Sequence, residues 1–310
     1  MKTLLVPIDH TATAEHTLAY ANKLAVRWPA EIVVLYCHPT AANATAEAET
    51  EILATQEQRL RSLVERLRYQ QLTRQDGRRI RYRYRVLSGC LHDHVRAEAT
   101  RCAADLVVMG LEHIDCCHQP APATHAAALA ERLACPVLVV PAGRRSLPRR
   151  VVFAADFGLL DKSIAHGLSA LANAFPAPLE LVQFYAPLDR PKRRTLKQGL
   201  GAAAAQLVWA APVTEHLVED EARLEGVDEF CARKHADLLI IAPTSAGQLT
   251  EYFGNCYAKT RAYHTQIPVL VLRAIGYNAG KETCCTRCAL HPEPQVVPSV
   301  RSIYDSIPWV

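Results

Sequence analysis

The chain contains two versions of one segment. Residues 3–39 read TLLVPIDHTATAEHTLAYANKLAVRWPAEIVVLYCHP, and residues 150–187 read RVVFAADFGLLDKSIAHGLSALANAFPAPLELVQFYAP. A shift of 147 lays Asp9 on Asp156, Ala25 on Ala172, Trp28 on Phe175 and Pro29 on Pro176. Further on, Ala104–Gly110 (ADLVVMG) matches Ala236–Ala242 (ADLLIIA), and Cys135–Val140 (CPVLVV) matches Ile267–Leu272 (IPVLVL), both at a shift of 132. The second copy is therefore 15 residues shorter, and the loss falls in its middle. Self-similarity at this spacing limits the fold to a duplicated unit.

Each copy alternates strand and helix. The apolar runs Leu4–Ile8, Ile32–Tyr36, Leu106–Met109 and Val137–Val140 are continuous and rich in β-branched residues. Continuous runs predict strands covered on both faces, as in a parallel sheet. A helix is expected over 13–28, where Ala14, Leu18, Ala21, Ala25 and Trp28 share one stripe. Another is expected over 46–69, acidic at its start and arginine-rich towards its end, as the helix dipole favours. Leu91, Val95, Ala99 and Cys102 mark a third stripe; Ala126, Leu129, Ala130 and Leu133 mark a fourth. The fold class is α/β, with two doubly wound five-stranded parallel-sheet domains joined by right-handed crossovers. The expected domains are 1–142 and 148–273, linked by a short polar turn through Gly143 and Pro148. Residues 274–310 form a Cys- and Pro-containing tail with no helical period.

The strand signatures LLVPID, ADLVVMG and CPVLVV, in that order, resemble the universal stress protein family. Seen twice, they resemble its tandem two-domain form. The resemblance implies an adenine nucleotide alpha hydrolase-like sheet whose fifth strands pair across a dimer. Here Val137–Val140 and Val269–Leu272 would pair, making an internal pseudo-dimer. A homo-oligomer beyond it stays open. The implied role is a cytoplasmic stress-response protein that acts by binding protein partners or a small ligand.

Part of that family binds ATP on a loop after the fourth strand, patterned Gly, two residues, Gly, nine residues, Gly, then Ser or Thr. Glycines let backbone N–H groups close on phosphates, and the next helix adds its dipole. In the first copy Gly110 and Thr124 keep the pattern, whereas His113 and Ala123 replace glycines. Pro120 and Pro122 each remove a donor from this loop. In the second copy Ala242, Ser245, Asn255 and Cys256 hold the four positions. The expectation is weak ATP binding and no required cofactor, with any residual site near Asp9, Gly110 and Thr124. Asp9 and Asp156 stand where family members contact ribose; an Asp there also caps a turn.

Two Cys/His clusters stand out. Cys284, Cys285, Cys288 and His291 have ligand-like spacing for zinc. His113, Cys116, Cys117 and His118 sit where the first copy would carry its phosphate loop, with His125 beyond. Redox exchange among the tail thiols is the alternative to a metal site. Without a recognisable export signal, the eleven cysteines are read as reduced thiols, and Cys37, Cys102, Cys135 and Cys231 as core.

Ten arginines fall between Arg59 and Arg85. Period two from Arg79 to Arg85 predicts an edge strand with arginines on one face and Ile80, Tyr82 and Tyr84 on the other. Charges on an edge strand block unwanted pairing; the alternative is a polyanion-binding face. The formal charge of +4 does not by itself point to nucleic acid. No apolar run reaches membrane-span length, so no membrane partner is expected. There is no GxSxG elbow, P-loop or HExxH, so the chain is read as a non-enzyme, with weak nucleotide hydrolysis as the alternative. His92-Asp93-His94 opens a helix, where Asp93 serves as a helix-start acid.

Overall fold

The computed structural model of the chain describes residues 1–9, 11–38, 46–111, 122–220, 223–244, 247–256 and 266–274. The first half runs β1 (Lys2–Pro7), α1 (Ala12–Arg27), β2 (Ala30–His38), α2 (Ala46–Gln71), α3 (Arg74–Arg79), β3 (Tyr82–Ser88), α4 (Leu91–Arg101), β4 (Leu106–Gly110), α5 (Pro122–Arg132) and β5 (Val137–Val140). The second half runs β6 (Val151–Ala154), α6 (Lys162–Leu171), β7 (Leu179–Tyr185), α7 (Arg193–Gln206), β8 (Val213–Glu219), α8 (Arg223–Lys234), β9 (Leu238–Ile241), α9 (Gln248–Glu251) and β10 (Val269–Val271). A 3-10 turn at Pro187–Lys192 and one α-helix, α7, span the connection that α2 and α3 fill in the first half, which is where the second copy is shortened.

The ten strands among the described residues join one sheet in the order β3-β2-β1-β4-β5-β10-β9-β6-β7-β8. Pairing is parallel within each half and antiparallel where β5 meets β10. Leu138 faces Leu270, its own counterpart in the repeat, while Val137 faces Val271 and Val139 faces Val269. The duplication is thus a local two-fold centred on the leucine pair. All seven residues Val137–Val140 and Val269–Val271 are at most 1% exposed. Each such Val or Leu side chain contributes roughly 1.5–3 kcal/mol by leaving water. Unpaired, this edge would be an apolar template for aggregation.

Two apolar layers run the length of the sheet. One joins Leu4, Ile32 and Leu138 to α1, α2, α6 and α7 through Leu18, Leu60, Leu168 and Leu200. The other joins Leu5, Val107 and Val139 to α4, α5, α8 and α9 through Val95, Leu129, Phe230 and Leu249. Helix α1 buries the stripe read from its sequence, Ala14, Leu18, Ala21 and Ala25, and its end is closed by Trp28 N–H donating to Leu24 O at 2.7 Å. The repeated Ala-Asp pair fixes the start of each fourth strand. Asp105 N–H donates to Thr3 O and Asp237 N–H to Arg150 O, both at 2.9 Å. Asp105 also accepts from Thr3 N–H and Lys2 Nζ, each at 2.8 Å. Just before them, Ala103 and His235 take left-handed φ of 47° and 52° to end α4 and α8, a conformation that glycine would adopt with less strain.

The arginine strand differs from its expected register. Arg79 ends α3 instead of opening β3. The cause is local: the Thr73 hydroxyl accepts from Asp76 N–H at 3.2 Å and starts a short helix. The remaining alternation holds, and both faces are occupied. Arg83 pairs with Glu31, and Arg85 pairs with Glu98 at 3.2 Å. On the opposite face Arg61 and Arg68 of α2 lie 4.6 and 5.2 Å from the ring centres of Tyr84 and Tyr82. Those groups face one another, so β3 is built as a protected edge. Among the described residues no helix is long and apolar enough to cross a membrane.

Candidate functional site

In a doubly wound sheet ligands sit outside the carboxyl ends of the strands, where the order reverses. In the first half that place lies beyond β1 and β4. Asp9, 7% exposed, accepts from Thr11 N–H at 2.9 Å and from the Thr11 hydroxyl. This is a turn closed two residues on, ahead of α1. Gly110 ends β4 against α1, and a Cβ there would stand 2.9 Å from Thr17 Oγ1. Close approach of helix to strand therefore requires glycine at this position. Thr124 lies in the first turn of α5, and its side chain falls outside the described residues, as do His113, Cys116, Cys117 and His118.

The second half repeats the acidic turn: Asp156 Oδ1 accepts from Gly158 N–H at 3.1 Å. Gln183 Nε2 of β7 also donates to it, at 3.0 Å. Beyond β6 and β9 this half holds a cleft of about 170 Å³. Ala154, Ala155, Ile241, Ala242 and Pro243 line its floor; Phe184, Val227, Leu249 and Tyr252 wall it; Asp156, Thr244 and Gln248 bring polar atoms. Sequence reasoning placed Asp156 at a strand end but gave no weight to Thr244, Gln248 or Tyr252. Nothing in their local spacing marks them, because they converge from β9 and the helical turn after it.

The loop after β9 has already committed two of its donors. Thr244 N–H donates to the Gln248 side-chain oxygen at 3.0 Å. Gly247, at φ 80°, donates its N–H to Glu131 Oε1 of α5 at 3.0 Å. A first-half carboxylate thus holds a backbone donor of the loop after β9.

Residues 1–141 match the sequence model described as the Universal stress protein family. The match covers the first half of the chain, residues 1–141 of 310. The second half is related through its fold. A universal stress protein from Archaeoglobus fulgidus superposes with a TM-score of 0.58 at 14% identity, covering 87% of this chain and 96% of that one. A putative universal stress protein from Pseudomonas aeruginosa gives 0.54 at 16% identity, covering 88% and 93%. No curated protein matches the chain by sequence. The relatives of similar length therefore share the universal stress protein fold across both halves.

Elsewhere in the chain, the structure brings His125 of α5 against His92 of α4. His92 Nε2 and His125 Nδ1 are 3.1 Å apart, with the rings edge to face and both residues under 5% exposed. Their separation in sequence hid the pair. Neighbouring His94 instead meets Ser88 O at 2.7 Å, and Asp93 stands in the first turn of α4. Cys284, Cys285, Cys288 and His291 lie outside the described residues. Among the described residues no group of three or more His, Cys, Asp or Glu is placed to hold a metal. Cys37, Cys102 and Cys135 pack against the core from its margin, and Cys231 is buried in it. Burial pushes the Cys135 thiol up to about 11 and the Cys102 and Cys231 thiols upwards as well.

Proposed function

We propose that this universal stress protein is a non-enzymatic binding protein that takes a small ligand in the second-half cleft and needs no nucleotide cofactor. The cleft beyond β6 and β9 carries this reading: it is concave, mostly apolar and edged by a few convergent polar groups, as ligand sites are. Its volume is near that of cavities that hold one benzene-sized ring. The loop chemistry supports the second clause, because Gln248 and Glu131 hold the Thr244 and Gly247 donors. Glu131 also joins the cleft's loop to α5 of the first half, which gives ligand occupancy a direct route to the partner domain.

Titration calorimetry with Mg-ATP is expected to show no site of micromolar affinity or better, which corresponds to about −8 kcal/mol. Native mass spectrometry of protein from its own host is expected to show a small non-nucleotide adduct. A cleft-filling Ala242→Leu variant should lose it. Tight Mg-ATP binding, or an adduct unaffected by Ala242→Leu, would overturn the reading.

A further inference from the structure

We propose that the second-half cleft selects a small organic amine, binding its ammonium at Asp156 and its apolar body between Phe184 and Tyr252. The inference rests on the ligand-binding reading above and names the ligand's chemistry. Among the described residues, Asp156 is the one carboxylic acid in the lining, and the lining contains no Lys, Arg or His. Its Oδ1 accepts from Gly158 and Gln183, which orients the carboxylate. Oδ2 has no donor among the described residues, and a carboxylate has acceptor capacity on both oxygens. A bound anion would meet this carboxylate with no cation among the described lining residues to offset it. A bound ammonium would meet a charge-assisted acceptor in a mostly apolar surround, where such bonds are strong.

The aromatic walls point the same way. Tyr252 is fixed by its hydroxyl, which donates to Asp228 Oδ1 at 2.9 Å. Phe184 and Tyr252 both line the cleft, and aromatic rings attract cations as well as apolar groups. The cleft volume of about 170 Å³ suits a single ring with a short amine arm.

The test compares 2-phenylethylamine with phenylacetate on the full chain at neutral pH and low salt, by ligand-observed NMR and calorimetry. The amine is expected to bind at least tenfold more tightly. Asp156→Asn, which keeps an acceptor for Gly158 and Gln183, should abolish that preference while leaving the melting temperature close to wild type. Phenylacetate binding as well as or better than the amine would overturn the amine assignment and leave the ligand-binding reading standing. Binding of neither probe, together with no host-derived adduct, would overturn both.

Discussion

Arg83 and His216 make the same kind of cross-strand tie in the two halves, two residues apart in the repeat. Arg83 stands opposite Val33, two residues beyond Glu31, and pairs with Glu31. His216 stands opposite Val182, the counterpart of Leu35, two residues beyond Glu180, and meets Glu180 at 2.6 Å. Each half ties its outer strand to the next by an acid on the second strand and a cation-capable group on the third. The acids are nearly buried, with side chains 12% exposed in both cases. Glu180 has a second cation as well, Lys234 Nζ at 3.7 Å. Neutralising either acid leaves a cation beside a nearly buried amide, so Glu31→Gln and Glu180→Gln should each cost about 1–2 kcal/mol. Chemical denaturation of the two variants checks this, and a cost near zero for either would show that its strand tie does not stabilise the fold.

Glu98 gives the sheet edge an acid-sensitive clamp. Burial alone raises its carboxyl, but the guanidiniums of Arg101 and Arg85 outweigh that and hold it below its ordinary value of 4.5. Its side chain is 6% exposed. A lowered folded pKa contributes stability that is present above the unfolded value and lost as pH falls through the folded one. Glu98→Gln is expected to cost about 2 kcal/mol at pH 7. The gap to wild type should narrow only below about pH 4.5. A gap that stays constant from pH 7 to pH 3 would show that the carboxylate's charge is not what stabilises it.

The junction of the halves rests on β5 and β10. Val139→Pro removes a strand donor and places a ring where β5 is paired on both sides. It should cost 3 kcal/mol or more, roughly the cost of a misplaced proline in a regular element. With a protease site inserted at Arg144, the cleaved wild type should still elute as one species. The two pieces should separate more readily in the variant. Separation of the cleaved wild type would mean the linker, not the sheet, holds the halves together.

Cys102, Cys135 and Cys231 are poor nucleophiles by location. Native alkylation with iodoacetamide at pH 7.5 should leave Cys102, Cys135 and Cys231 unmodified in peptide mass spectra. Thiolate, not thiol, is the reactive form, and burial raises all three pKa values. Cys135 should gain reactivity only as pH approaches about 11. Rapid labelling of Cys135 at neutral pH would show that the loop around it opens.

Much of this architecture is readable along the chain because it is periodic or local. The apolar runs mark strands buried on both faces, and the spacing of Ala14, Leu18, Ala21 and Ala25 marks the buried side of α1. Asp9 and Asp156 close turns two residues away. The repeat itself announces two sheets with matching fifth strands. Even the local reading failed at Arg79, where a Thr73 cap outweighed strand alternation.

Tertiary structure decided what no window of sequence contains. Leu138 meets Leu270 because antiparallel pairing of two copies must centre on one equivalent pair, and hydrogen-bond register selects which. His92 meets His125, and Glu131 reaches Gly247, across gaps that only helix packing closes. The sequence determined that two α/β units would form and which faces they would bury, since burial follows periodicity. Only the packed molecule decided that Asp156, Phe184 and Tyr252 would share a cleft, because their neighbourhood depends on three separate segments converging at one end of the sheet.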